Sequence, residues 1–156
     1  MPNQFRLLGF LFILMISSCN TIEPPKEKEV AEFITNWHKA AADANINSYF
    51  GMMSEDAIYI GTDASERWTK KEFFQFCEPH FAKGKAWDFK AFDRKIYFSE
   101  DGKTAWFNEL LNTWMGVCRA SGVIRNENNT LLITHYHLSV TIKNEKVKEF
   151  LQINQN

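Results

Sequence analysis

The stretch FKAFDRKIYFSEDGKTAWFNELLNTW, residues 89–114, decides the fold. Phe89 to Phe98 is rich in aromatic residues and closes on Ser99-Glu100-Asp101-Gly102. An Asp-Gly pair between two such runs is a strong hairpin signal. Lys103 to Trp114 then returns as a long strand. Alternation sends Trp106, Leu110 and Trp114 to one side of it and Phe107, Glu109 and Leu111 to the other. The aromatic side suits a flat apolar ligand, a core, or a sheet face that pairs with a second copy.

Outward from the hairpin, more sheet follows and helices precede. Val117 to Arg125 reads as a strand containing Gly122, Asn126-Glu127-Asn128-Asn129 as a turn, and Thr130 to Ile142 as the next strand. Glu145 to Ile153 reads as a short terminal helix. Upstream, Val30, Phe33, Ile34, Trp37, Ala40 and Ala41 recur at helical spacing, which predicts an amphipathic helix from about Glu29 to Ala42. His38, beside Trp37, reads as a surface or boundary histidine. Asn45 or Asn47 caps a second, short helix carrying Tyr49, Phe50, Met52 and Met53, and Ala57 to Ile60 is the first strand. Thr69-Lys70-Lys71-Glu72 is a capping box, so a third helix starts there, is kinked or broken at Pro79, and ends near Gly84. The fold class is α+β, with about three N-terminal helices covering one face of a four-stranded antiparallel meander.

Composition bounds the function. The 156 residues are 45% hydrophobic and carry 18 basic against 19 acidic side chains, which excludes disorder and a multidomain machine. A net charge of −1 argues against nucleic acid as a partner. Leu7 to Ile16 is apolar apart from Gly9, and Ile16-Ser17-Ser18 is a small-residue cleavage pattern ahead of Cys19. This leader is too short to span a bilayer. It resembles the lipobox of bacterial lipoproteins, which implies acylation of Cys19 and a membrane partner reached through an N-terminal lipid. The expected organisation is therefore a signal peptide over residues 1–18, a lipidated N-terminus and solvated tether over 19–28, and a folded domain over 29–156. The expected location is the bacterial cell envelope, on its periplasmic or surface side. Cys77 and Cys118 sit among apolar neighbours, which suits buried thiols, while an exported compartment permits a bridge between them. No Cys-x-x-Cys or zinc spacing occurs, so neither metal nor cofactor is expected.

The element order, together with Tyr59-Ile60-Gly61-Thr62-Asp63-Ala64-Ser65-Glu66-Arg67-Trp68, Gly116-Val117-Cys118-Arg119-Ala120-Ser121-Gly122-Val123 and His135-Tyr136-His137-Leu138-Ser139-Val140, resembles the SnoaL-like branch of the nuclear transport factor two-like superfamily. The resemblance spans about Glu29 to Ile142. It implies a cone-shaped, strongly bent antiparallel sheet wrapped around helices, with a pocket between them. Superfamily members include ketosteroid isomerase, scytalone dehydratase and polyketide cyclases, and also binding and assembly domains without catalysis, so the fold leaves function open.

Candidate pocket residues are Tyr59, Asp63, Glu66, Trp68, Glu109, Arg119, His135 and His137. Asp63 and Glu66 follow the first strand, with Trp68 just beyond. In an apolar pocket either carboxylate could serve as a base, while at a turn either could instead cap backbone N–H groups. His135 and His137, two apart on a strand, leave the same face with Leu131, Ile133 and Ser139. Two imidazoles there suit acid or base work, a hydrogen bond to a carboxylate such as Glu109, or a metal, although no third ligand is evident from spacing. Arg119 calls for a carboxylate partner among Asp63, Glu66 and Glu109, or for an anionic ligand if it faces the pocket.

Three functions fit. The first is a lipid-anchored domain that binds a small apolar or amphipathic molecule. The second is an isomerase, dehydratase or cyclase with Asp63 or Glu66 as base and His135 or His137 as acid. The third is an interaction module that dimerises. No nucleophile elbow, phosphate loop or zinc-protease helix is present.

Overall fold

A computed structural model describes residues 24–153. The leader and Cys19 lie outside the described residues. Helix α1 spans Glu27–Ala42 and buries Val30, Ile34, Trp37, His38, Ala40 and Ala41. It begins two residues ahead of the expected start, with the Glu29 carboxylate accepting the Lys26 N–H at 3.1 Å. Burial of His38 corrects the reading of it as a surface or boundary residue: it stands four residues after Ile34 and three before Ala41, on the same stripe. Helix α2 spans Ile46–Gly51 and is capped by Asn45, whose Oδ1 accepts the Ser48 N–H at 3.0 Å.

Strand β1 (Met53–Ile60) leads through a turn to a short strand, β2 (Arg67–Thr69), which local patterning did not reveal. Helix α3 (Lys70–Phe81) starts at the expected capping box, where Glu72 Oε2 accepts the Thr69 N–H at 2.9 Å and Thr69 Oγ1 accepts the Glu72 N–H at 3.4 Å. The helix continues two residues past Pro79, because in its last turn the missing N–H removes a single bond; Gly84, at φ 77°, then closes the turn.

Four long strands follow: β3 (Lys90–Phe98), β4 (Thr104–Thr113), β5 (Gly116–Glu127) and β6 (Thr130–Val140). A short 3-10 turn (Asn144–Lys146) and helix α4 (Val147–Ile153) end the described chain. The sheet order is β2-β1-β6-β5-β4-β3; β1 lies parallel to β6 and every other pair is antiparallel. The meander is as expected, and the curved sheet stays open.

Three register shifts bend the sheet, between Met53 and Ile58, between Phe92 and Lys95, and opposite Val123/Ile124. The last places an extra residue, Thr134, in β6, since Val123 pairs with His135 while Ile124 pairs with Ile133. That residue flips side-chain parity. Ile133 therefore lies fully buried with Tyr136 and Leu138, whereas His135 and His137 emerge on the outer face, which corrects the expectation that Ile133 shares a face with the histidines. On β5, Cys118, Ala120 and Gly122 face inward as alternation predicts. Cys77 and Cys118 are both buried free thiols.

The small inward face of β5 makes room for large rings. A Cβ on Gly122 would fall 2.6 Å from Phe107 Cε1 and 3.0 Å from the His135 carbonyl oxygen. Gly122→Ala is accordingly expected to destabilise the protein by about 1–3 kcal/mol through overpacking, read as a lower urea midpoint at unchanged slope.

Candidate functional site

Where β1 ends, the cone is not filled. A pocket of about 240 Å3 remains, reached by Tyr59 from β1, Trp68 from β2 and Glu66 from the turn between them. Phe73, Phe76 and His80, at three- and four-residue spacing on α3, form a second wall. Trp87 from the α3–β3 connection, and Trp114 with Met115 from the β4–β5 turn, complete the mouth. Tyr59 stacks on Phe73 with centroids 3.8 Å apart, and Trp68 stacks on Phe76 at 4.7 Å. These stacks hold the walls in place without a polar contact.

The polar groups differ in how they are held. Burial pushes the Tyr59 hydroxyl far above its ordinary range, with the nearby Cys77 thiol and Glu66 adding to the shift, so it stays a proton-bearing donor. Glu66 is fixed by its backbone, which accepts the Gly61 N–H at 2.8 Å and donates to the Asp63 carbonyl at 3.0 Å. Its Oε2 accepts the Asp63 N–H at 3.1 Å. A Cβ on Gly61 would fall 2.1 Å from that oxygen, so the carboxylate lies directly over a bare backbone. Asp63 does something else: Oδ1 accepts the Ser65 N–H at 2.8 Å and the Ser65 hydroxyl at 2.5 Å. Those two bonds, the hydroxyl's foremost, hold its carboxyl below the ordinary range on an exposed turn at the rim.

The other candidates are not brought to this pocket. Glu109 is fully buried on the inner face of β4, where Oε1 lies 2.6 Å from His38 Nε2 and Oε2 accepts Arg94 Nε–H at 2.7 Å. Arg94 also donates through Nη1 to the Ala31 carbonyl at 2.8 Å and Thr35 Oγ1 at 2.9 Å. The network thus ties α1 to β3 and β4, and the partners of Glu109 are His38 and Arg94 rather than Arg119, His135 or His137. Arg119 is exposed on the outer face and forms no ion pair among the described residues. His135 and His137 share that face, and partial burial, then the charges of His137 and Arg67, hold His135 below the usual imidazole range. No group of three or more His, Cys, Asp or Glu among the described residues could hold a metal.

A wider groove of about 650 Å3 runs between α1 and β3. Its charges already satisfy one another, Lys39 with Asp43, Lys90 with Asp88 at 2.7 Å, and Arg94 with Glu109. The smaller pocket is therefore the better candidate, with apolar walls and few convergent polar groups. Phe76, His80, Trp87 and Met115 were not singled out from sequence. The helical spacing of Phe73, Phe76 and His80 was the available signal for two of them.

A bent, open sheet around helices with a pocket at one end defines a nuclear transport factor two-like fold. Residues 30–143 match the SnoaL-like domain, and the chain belongs to that family. Among solved structures it is similar to an NTF2-like protein of unknown function from Pseudomonas putida, at TM-score 0.64 and 16% identity, covering 77% of this chain and 89% of that one. A candidate ketosteroid isomerase from Parabacteroides distasonis gives TM-score 0.61 and 12% identity over 78% of this chain and 92% of that one. The association domain of C. elegans CaMKII gives 0.59 and 11% over 72% and 94%. At these identities the likeness shows the fold alone. No curated protein matches the chain.

Burial raises the Glu109 carboxyl, but the hydrogen bond and charge of His38, followed by Arg94, outweigh it and leave the group below its ordinary value of 4.5. Its ionised form contributes stability that is complete above the ordinary carboxylate range and is lost as pH falls through the lower folded-state value. Glu109→Ala is expected to cost about 3–5 kcal/mol near neutral pH by leaving Arg94 unpaired. Urea titrations across the acid range should show a shallower acid loss for Glu109→Gln than for the unaltered protein.

Proposed function

We propose that this chain is a lipid-anchored binding domain of the bacterial cell envelope, attached through Cys19, that holds a small apolar or amphipathic molecule in the 240 Å3 pocket. The observation that carries the reading is a preformed recess walled by stacked rings, with buried Tyr59 and half-buried Glu66 among its lining. Pro24 supports the anchoring geometry. It packs against Gly102 at the β3–β4 turn, where a Cβ would meet it at 2.5 Å, while Trp114 and Met115 line the pocket at the far end of β4. The ten residues of β4 separate these ends by roughly 30 Å. An anchored N-terminus would leave the pocket mouth turned away from the bilayer. No helix among the described residues is long and apolar enough to cross a membrane.

A second reading is an isomerase, dehydratase or cyclase. The proximity of Tyr59 and Glu66 favours it, with Glu66 as base and the protonated Tyr59 hydroxyl as donor. His135 and His137 lie on the outer face and could not share a substrate with Glu66 there. The exposed Tyr97–Trp106 stack on that outer face, with centroids 5.8 Å apart, would serve a homodimer.

Two measurements test the first reading. Titration with a neutral naphthalene fluorophore should show binding that Trp68→Ala and Trp87→Ala each weaken roughly tenfold and that Phe92→Ala, in the groove beside α1, leaves unchanged. Equal effects from all three would remove the pocket from consideration. Cys19→Ala should release the protein from the membrane fraction, and retention there would contradict the lipid anchor.

A further inference from the structure

We infer that the pocket recognises an organic cation, a quaternary or protonated amine on a small apolar body. The inference rests on the binding reading and names its ligand class. Among the described residues Glu66 is the sole carboxylate on the pocket wall and neither Lys nor Arg lines it; the one imidazole there, His80, is exposed, with its ring 5.3 Å from that of Phe76. Elsewhere Glu109 is neutralised by Arg94 at 2.7 Å and Asp56 by Arg125 at 2.9 Å. Glu66 has no ion pair among the described residues. Its Oε2 takes one backbone N–H, and its Oε1 accepts no hydrogen bond from them.

The walls around this carboxylate are electron-rich ring faces. Trp68 lies within 5.6 Å of Phe73 and 4.7 Å of Phe76, while Trp87 and Trp114 border the mouth. A cation is attracted to the negative face of an aromatic ring, most strongly to tryptophan, and the attraction grows as the site is desolvated. An anion would meet both those faces and Glu66 unfavourably, and a neutral apolar ligand would leave the carboxylate with the Asp63 N–H as its one partner among the described residues. At about 240 Å3 the pocket suits a headgroup-sized molecule and is below the usual range for drug-sized ligands.

Three probes of matched shape test this: choline, 3,3-dimethyl-1-butanol and 3,3-dimethylbutanoate, titrated by calorimetry into the full chain held in a non-ionic detergent. Choline is expected to bind about tenfold tighter than the neutral alcohol, and the carboxylate weakest. Glu66→Gln, which keeps an oxygen for the Asp63 N–H, should weaken choline severalfold more than the alcohol and so reduce that preference. Trp68→Leu should weaken choline more than the alcohol. Vesicles of phosphatidylcholine that displace choline would assign the cation to a lipid headgroup, and vesicles that do not would assign it to a soluble amine; both support the inference. Equal binding of the three probes, tightest binding of the carboxylate, or a choline affinity indifferent to Glu66→Gln would overturn it. If no probe binds while the naphthalene fluorophore still does, the cation inference alone fails; if neither binds, the binding reading fails with it.

Discussion

A carboxylate with no exposure to water organises this domain. Glu109 points into the concave face of the sheet, where an isolated charge is not tolerated, so the chain must deliver partners to it from elsewhere. His38 comes from α1 and Arg94 from β3, fifteen residues upstream on the neighbouring strand. Arg94 reaches inward because the register shift between Phe92 and Lys95, with Asp93 at φ 48°, turns the edge strand at that point. The helix can then lie across the sheet in one register. Another would strand Glu109 or pull Arg94 from the Ala31 carbonyl and Thr35.

With α1 so placed, the remaining concavity fills with rings. Trp37 stacks on Tyr49 and meets Tyr136 edge-on, both at 4.7 Å; Tyr136 lies 5.3 Å from Tyr59, which stacks on Phe73. The file continues through Trp68 to Phe76, where exposure rises to 42%. The pocket is the place at which this file runs out of partners. Its walls are an extension of the core, which is why they are preformed, and why residues that build the fold also shape the recess.

Local chemistry was readable from sequence wherever one short segment determines the outcome. The Thr69/Glu72 capping box, the Asn45 cap, the Asp101-Gly102 hairpin and the inward run Cys118, Ala120 and Gly122 each depend on spacing within a few residues, and each stands in the structure. Tyr59, Glu66 and Trp68 are neighbours in sequence and remain neighbours in the pocket. What could not be read depends on distant segments. The extra residue at Thr134 reverses which side chains of β6 face the core, and no local pattern marks it. Arg94 becomes a partner of Glu109 only through the bend in β3. Phe76, Trp87 and Met115 meet Trp68 only once α3 and the β4–β5 turn have closed on β1.

Three carboxylates that look interchangeable in the chain end in three environments, and the environments assign their chemistry. Asp63 is exposed and saturated by Ser65, so its free energy goes into holding a turn. Glu109 is saturated by a cation and an imidazole inside the core, where any ligand would have to break both contacts to reach it. Glu66 alone combines an open oxygen with access to a cavity. The cationic side chains reinforce the contrast. Arg67 and Arg119 lie outside the pocket lining, Arg119 on the outer face of the sheet, and the one imidazole in the lining, that of His80, is exposed. A fold shared by catalysts and by assembly domains thus carries, in this chain, one carboxylate inside an aromatic recess and its neighbouring guanidinium groups outside it.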